Sequence, residues 1–194
     1  MKKTLLLGAI ISILFIQCGE ETDPFLIQKG AIGNLTHKNA MKQIDSIFSN
    51  DSIVKLNPIK NAIGTQGEVE IYEKGGAKLM LLSPDDESDP ESKITNIQIF
   101  DNRYKTIKGL NSESTFKEVK DNYIISDIET TISSVVVFLE DSELYITIDK
   151  KELPEDLRYN SSLKIESSQI PDKAVFKYFM LGWDLEDEEE VIQE

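Results

Sequence analysis

The chain has 194 residues, 40% of them hydrophobic, which is enough for one domain with a buried core. Its 35 acidic side chains against 21 basic ones give a formal charge of −14, which repels phosphate and argues against nucleic-acid binding and against electrostatic adhesion to anionic lipid. One cysteine and one histidine exclude a structural zinc site and an intrachain disulfide, and leave Cys18 with His37 as the sole Cys–His combination.

Met1 to Cys18 opens with Lys2 and Lys3 and continues as an apolar or small run from Leu5 to Ile16, which reads as a secretory signal peptide over 1–17. The run is 12 residues, too short for a membrane span of about 20. A cysteine directly after the run resembles the bacterial lipobox, although Phe15-Ile16-Gln17-Cys18 has Gln17 where a small residue is usual. Cys18 is therefore expected to become the lipidated N-terminus. Stable anchoring takes more than one acyl chain, which a triacylated cysteine supplies. Removal of the signal leaves a charge of −16. Residues 18–24 form a short acidic tether, and the absence of Asp after Cys18 favours the outer membrane, with periplasmic or surface display left open.

Within 25–183 the expected domain begins with an extended segment, Phe25 to Leu35, broken by Gly30 and Gly33. Thr36 reads as an N-cap, and Ala40, Met41, Ile44, Ile47 and Phe48 at helical spacing predict a helix over 37–49. Ile53 to Leu56 is a short strand. The alternation of 68–72 and the run 78–82 around Gly75-Gly76 predict a hairpin. An acidic loop over 83–92 precedes a strand from Ile94 to Phe100. A strand end near Tyr104, a glycine turn at Gly109 and a helix over 114–122 capped by Ser114 or Thr115 follow. Ile132–Leu139 and Leu144–Ile148 predict a second hairpin across 140–143, with Val135 to Leu139 expected to be buried on both faces. Leu163–Ile170 and Ala174–Leu181 are the last strand candidates, although Val175, Phe176, Phe179 and Met180 also fit a helical face. The sum is α+β: an antiparallel sheet with two short helices packed on it, in a single domain. Asp184 to Glu194 holds seven acids and no base, and reads as a solvated tail.

The order of these features resembles the RpoE-regulated bacterial lipoprotein family, a domain of unknown function. The resemblance rests on Gly30-Ala31-Ile32-Gly33-Asn34-Leu35-Thr36, Glu70-Ile71-Tyr72-Glu73-Lys74-Gly75-Gly76, Ile94 to Asp101, Thr106-Ile107-Lys108-Gly109-Leu110, and Ser114 to Val119 with Tyr123, covering about 30–123. It implies an envelope lipoprotein whose enteric relatives belong to the envelope-stress regulon, with no established activity or site. The chain departs from the family in lacking cysteines in the domain and in its acidic tail.

No residue pattern specifies catalysis. The acidic loop Asp85, Asp86, Glu87, Asp89, Glu91 fails the calcium-loop register, because Pro90 falls where the turn glycine belongs and Asn96 where the bidentate Glu belongs. His37 lies beside Thr36 with no serine and acid around it, and is expected at the surface. The glycines form neither a nucleophile elbow nor a dinucleotide fingerprint. The turns at Gly75-Gly76 and Lys108-Gly109-Leu110 are places where backbone can approach a ligand closely. The aromatic cluster Phe176, Tyr178, Phe179, Trp183 is expected in the core, with Tyr178 and Trp183 as the candidate ligand-binding residues if exposed. The expected function is a non-catalytic, lipid-anchored envelope protein that binds another envelope component or acts under envelope stress, without cofactor or metal. The alternatives are a glycan or small-ligand binding module and an inhibitor of a basic enzyme such as lysozyme, which an acidic domain suits.

Overall fold

The computed structural model describes residues 23–56, 67–87, 89, 91–159 and 164–183; the signal segment, Cys18 and the acidic tail lie outside the described residues. The chain enters through three short strands, β1 (Leu26–Gln28), β2 (Ala31–Ile32) and β3 (Leu35–Thr36), paired as a tight antiparallel meander. Two-residue connections this short need left-handed backbone, supplied by Gly30 at φ 72° and Gly33 at φ 55°. The free side of β1 pairs in parallel with β8 (Lys105–Thr106), which completes a four-stranded sheet.

The second sheet has eight strands, each antiparallel to its neighbours: β4 (Ser52–Lys55), β5 (Val69–Tyr72), β6 (Lys78–Pro84), β7 (Ile94–Ile99), β12 (Tyr178–Gly182), β11 (Leu144–Asp149), β10 (Ser134–Leu139) and β9 (Ile125–Thr130). The last strand lies in the middle. Phe179 sits between Ile99 and Ile146, and Leu181 between Ile97 and Leu144, so β12 joins two meanders through one row of inward apolar side chains. Period-two alternation selects that face in every central strand: Val69 and Ile71, Met80 and Leu82, Ile97 and Ile99, Val135 and Val137 are all buried. The same cluster includes Ile27, Ile32 and Leu35 of the small sheet, so both sheets share one core. The fold is α+β and mainly β, as its sequence pattern predicts.

Helices are few and short: α1 (Ile44–Ile47), α2 (Phe116–Asn122) and α3 (Glu155–Arg158). Thr115 caps α2. Glu118 reaches back to accept its backbone N–H at 2.7 Å, and Phe116 and Val119 are the residues α2 buries.

Three local expectations are corrected, and one strand is added. The helix expected over 37–49 starts late: Thr36 ends β3, Asn39 accepts its backbone N–H at 2.8 Å, and only a 3₁₀ turn at Met41–Gln43 followed by α1 is helical. The buried positions Met41, Ile44 and Phe48 keep the helical spacing that suggested the longer element. Around 163–170, the described part holds a 3₁₀ turn at Ser167–Gln169, with Gln169 accepting the Glu166 N–H, in place of a strand. Val135 to Leu139 is not buried on both faces: Val136 and Phe138 are half-buried on the outer face, where Phe138 stacks on Tyr145 at 5.9 Å. Strand β9 had no counterpart in the sequence reading, because its Asp127 and Glu129 alternate with few apolar residues.

Candidate ligand cleft

Three turns converge at one end of the molecule. The first is the β1–β2 turn, Gln28 to Gly30. The second follows β8, where the Thr106 carbonyl accepts the Gly109 N–H at 2.9 Å and the Thr106 Oγ1 accepts the Leu110 N–H at 3.1 Å. This tight turn leaves Ile107 82% exposed. The third, between β10 and β11, contains Asp141 in left-handed backbone at φ 52°. Glu143 latches the third turn to the first: its Oε2 accepts the Gly30 N–H at 2.8 Å and the Trp183 indole N–H at 3.2 Å. His37 closes the network, with Nδ1 3.2 Å from the Gly30 carbonyl and its ring edge-on to Trp183.

Between these turns lies an open cleft of about 350 Å³, at the small end of the range for ligand sites. Ile27, Leu144 and Leu181 form its floor, with Thr106 and Tyr123, whose hydroxyls are 2.7 Å apart. One lip carries Lys29, Ile107 and Lys108. The other carries Ile124, 70% exposed, with Glu140 and Asp141. Lys108 is positioned: its ammonium donates to the Asn122 carbonyl at the end of α2 at 2.6 Å and lies 4.5 Å from the Tyr123 ring centroid. The acidic lip is held by the Glu140 N–H, which donates to the Ile124 carbonyl at 2.9 Å. The Thr106 and Tyr123 hydroxyls bond each other and Glu143 Oε2 accepts two N–H groups, so the cleft offers apolar surface with charge at its rim.

The structure places the two aromatic candidates on opposite faces of β12. Trp183 is 4% exposed and packs inward, while Tyr178 is 41% exposed on the outer face, its ring under the Lys177 ammonium at 5.3 Å. The alternation of a strand separates residues five apart. The acidic loop is held by its own turns, the Asp86 N–H donating to Ser92 Oγ and the Glu91 N–H to Asp89 Oδ1, each at 2.8 Å, and Glu91 pairs with Lys42. Among the described residues no group of three His, Cys, Asp or Glu side chains is placed to hold a metal ion. A second cavity, about 200 Å³, lies between Phe25, Phe48 and Tyr104, with Asp51 and Glu73 at its edge. Burial first, and the Glu73 charge second, push the Asp51 carboxyl up, while Glu73 is paired with Arg103 at 2.9 Å.

Sequence reasoning singled out the Lys108-Gly109-Leu110 turn but not Ile107 or Ile124. An isoleucine beside a short strand reads as core, and only the three-dimensional turn shows that it points outward. Their signal was indirect: Thr106 and Leu110 occupy the inward positions of the same turn.

Fold and cleft together define a mainly β domain with an apolar, charge-rimmed recess. No protein-family model matches the chain, and no curated protein matches it. Among solved structures it is similar to the crystal structure of the uncharacterized protein yfeY from Escherichia coli, with 13% identity and a TM-score of 0.47, over 78% of this chain and 95% of that one.

Proposed function

We propose that this chain is a lipid-anchored protein of the bacterial cell envelope, of the RpoE-regulated lipoprotein kind, held at the outer membrane through Cys18, and that its domain works by binding and not by catalysis. The signal segment ending at Cys18, the acidic tether and the resemblance over about 30–123 support the location. The observation that carries the binding reading is the pair Ile107 and Ile124, 82% and 70% exposed and both lining one cleft. Covering an isoleucine is worth roughly 1.5–3 kcal/mol, so two at one recess are a standing gain for any apolar group that enters.

Two variants separate anchor from cleft. Wild-type chain should stay with outer membranes through a carbonate wash and Cys18→Ser should be released; a variant that remains membrane-bound ends the lipid-anchor reading. In the released protein, the Ile107→Glu/Ile124→Glu double variant should keep its melting temperature and lose at least tenfold in affinity for an uncharged apolar probe such as 2-naphthol. Equal naphthol binding by both proteins ends the cleft reading.

A further inference from the structure

The turns that line the cleft differ in sign. Lys29 and Lys108 come from the β1–β2 turn and the turn after β8, whose strands pair, and Glu140 and Asp141 from the β10–β11 turn, with Ile107 and Ile124 and an apolar floor in the same lining. We propose that the cleft takes a short zwitterionic peptide with an apolar side chain, its amino group at Glu140 and Asp141 and its carboxylate at Lys29 and Lys108; this rests on the cleft being a ligand site.

Each feature removes a competitor. A fatty acid satisfies the basic lip and leaves two acids facing its chain. An apolar amine does the reverse. An uncharged apolar molecule uses the floor and neither lip. A ligand with one charge of each sign at opposite ends satisfies both lips, and the isoleucines and floor then take a side chain from its middle. The charges are also set in place before binding. Lys108 spends one of its three N–H donors on the Asn122 carbonyl, which leaves two for a carboxylate. The Asp141 backbone is fixed in its left-handed turn, and Glu140 is tied to Ile124 through its N–H. Such pre-positioning lowers the ordering cost of binding. Glu143 Oε2 already accepts two N–H groups, which fixes this carboxylate beside the acidic pair.

The test uses the full chain in phosphatidylcholine nanodiscs, titrated with alanyl-leucine and with its N-acetyl and C-amide forms by calorimetry, while isoleucine methyl NMR signals are followed. Alanyl-leucine should move the Ile107 and Ile124 methyls, and blocking either end should weaken binding at least tenfold. Lys29→Gln/Lys108→Gln should erase most of the penalty for the C-amide and leave that for the N-acetyl form; Glu140→Gln/Asp141→Asn should do the converse, with Asn chosen because it tolerates left-handed backbone. Equal binding of free and blocked peptides, or penalties unchanged by these substitutions, overturns the proposal. If 2-naphthol moves both methyls and alanyl-leucine moves neither, the cleft stands and the peptide assignment fails; if neither ligand moves them, both readings fail.

Discussion

Glu118 shows how one carboxylate organises a helix start in this protein. It accepts the Thr115 N–H at 2.7 Å and the Ser114 hydroxyl at 3.0 Å, and the hydrogen bond from the Thr115 backbone is the main reason its carboxyl titrates below the ordinary glutamate value of 4.5. A folded-state value lowered in this way adds stability above pH 4.5, and that stability disappears as pH falls through the lowered value. Glu118→Gln retains a side-chain oxygen for Thr115 and does not titrate. Because Glu118 is exposed, the charge is worth only a few tenths of a kcal/mol near a helix N-terminus, or about 1–2 °C in a domain of this size. Wild type should therefore melt about 1–2 °C above the Gln variant at pH 7, and the gap should close as pH falls below 4.5 through the lowered value. A gap that is constant or widens toward acid contradicts the capping role. The Glu143 carboxylate acts differently, joining two turns and the indole of the chain's one tryptophan, so that fluorescence reports on this latch.

At the scale of elements, the β1–β2–β3 meander depends on its glycines more than the hairpin between β5 and β6 does. A Cβ on Gly33 collides with the Pro24 carbonyl oxygen, and one on Gly30 comes within 2.6 Å of His37 Nδ1, whereas Gly76 opens onto free space. All three have positive φ, so alanine carries a backbone cost of roughly 1–2 kcal/mol at each, and only the meander adds a clash with neighbouring atoms. Gly33→Ala should lower the urea midpoint by an amount worth more than about 2 kcal/mol, and Gly76→Ala by about half that or less. Equal losses would mean that Pro24 moves aside freely. The Gly75-Gly76 turn was legible in the sequence because paired glycines between apolar runs have a direct conformational meaning, whereas Gly30 and Gly33 read only as breaks in one extended segment and in fact make two turns. The two hairpins were legible too, and so was α2, where Thr115 and Glu118 stand at capping-box spacing. The illegible parts obey tertiary forces: β9 is held by β10 and not by its own composition, residues 37–40 give up helix for a turn closed by Asn39 and a bridge from Ala40 to Lys93, and the cleft exists only where three separate turns meet.

For the whole molecule, the placing of β12 decides how stability is shared. It lies between β7 and β11, so the eight-stranded sheet is two meanders until residues 178–182 bridge them, and the pairings that complete it are far apart in sequence. The small sheet has no core of its own. Ile27, Ile32 and Leu35 pack into the same cluster as Phe179 and Leu181, and the Glu143 latch ties the β1–β2 turn to Trp183 at the end of β12. A sheet of two- and three-residue strands with no separate core cannot outlast the larger one, and the shared cluster resists its leaving first. Trp183 fluorescence reads the junction, while far-UV circular dichroism is dominated by the eight strands. The two signals should lose structure at the same temperature, with one midpoint within about 1 °C and a calorimetric enthalpy equal to the van't Hoff value. A fluorescence transition several degrees below the dichroism one would show the small sheet detaching first, and the cleft would then be a property of the weakest part of the fold. A single midpoint makes the cleft as durable as the core beneath it, so that a ligand seated there stabilises the entire domain.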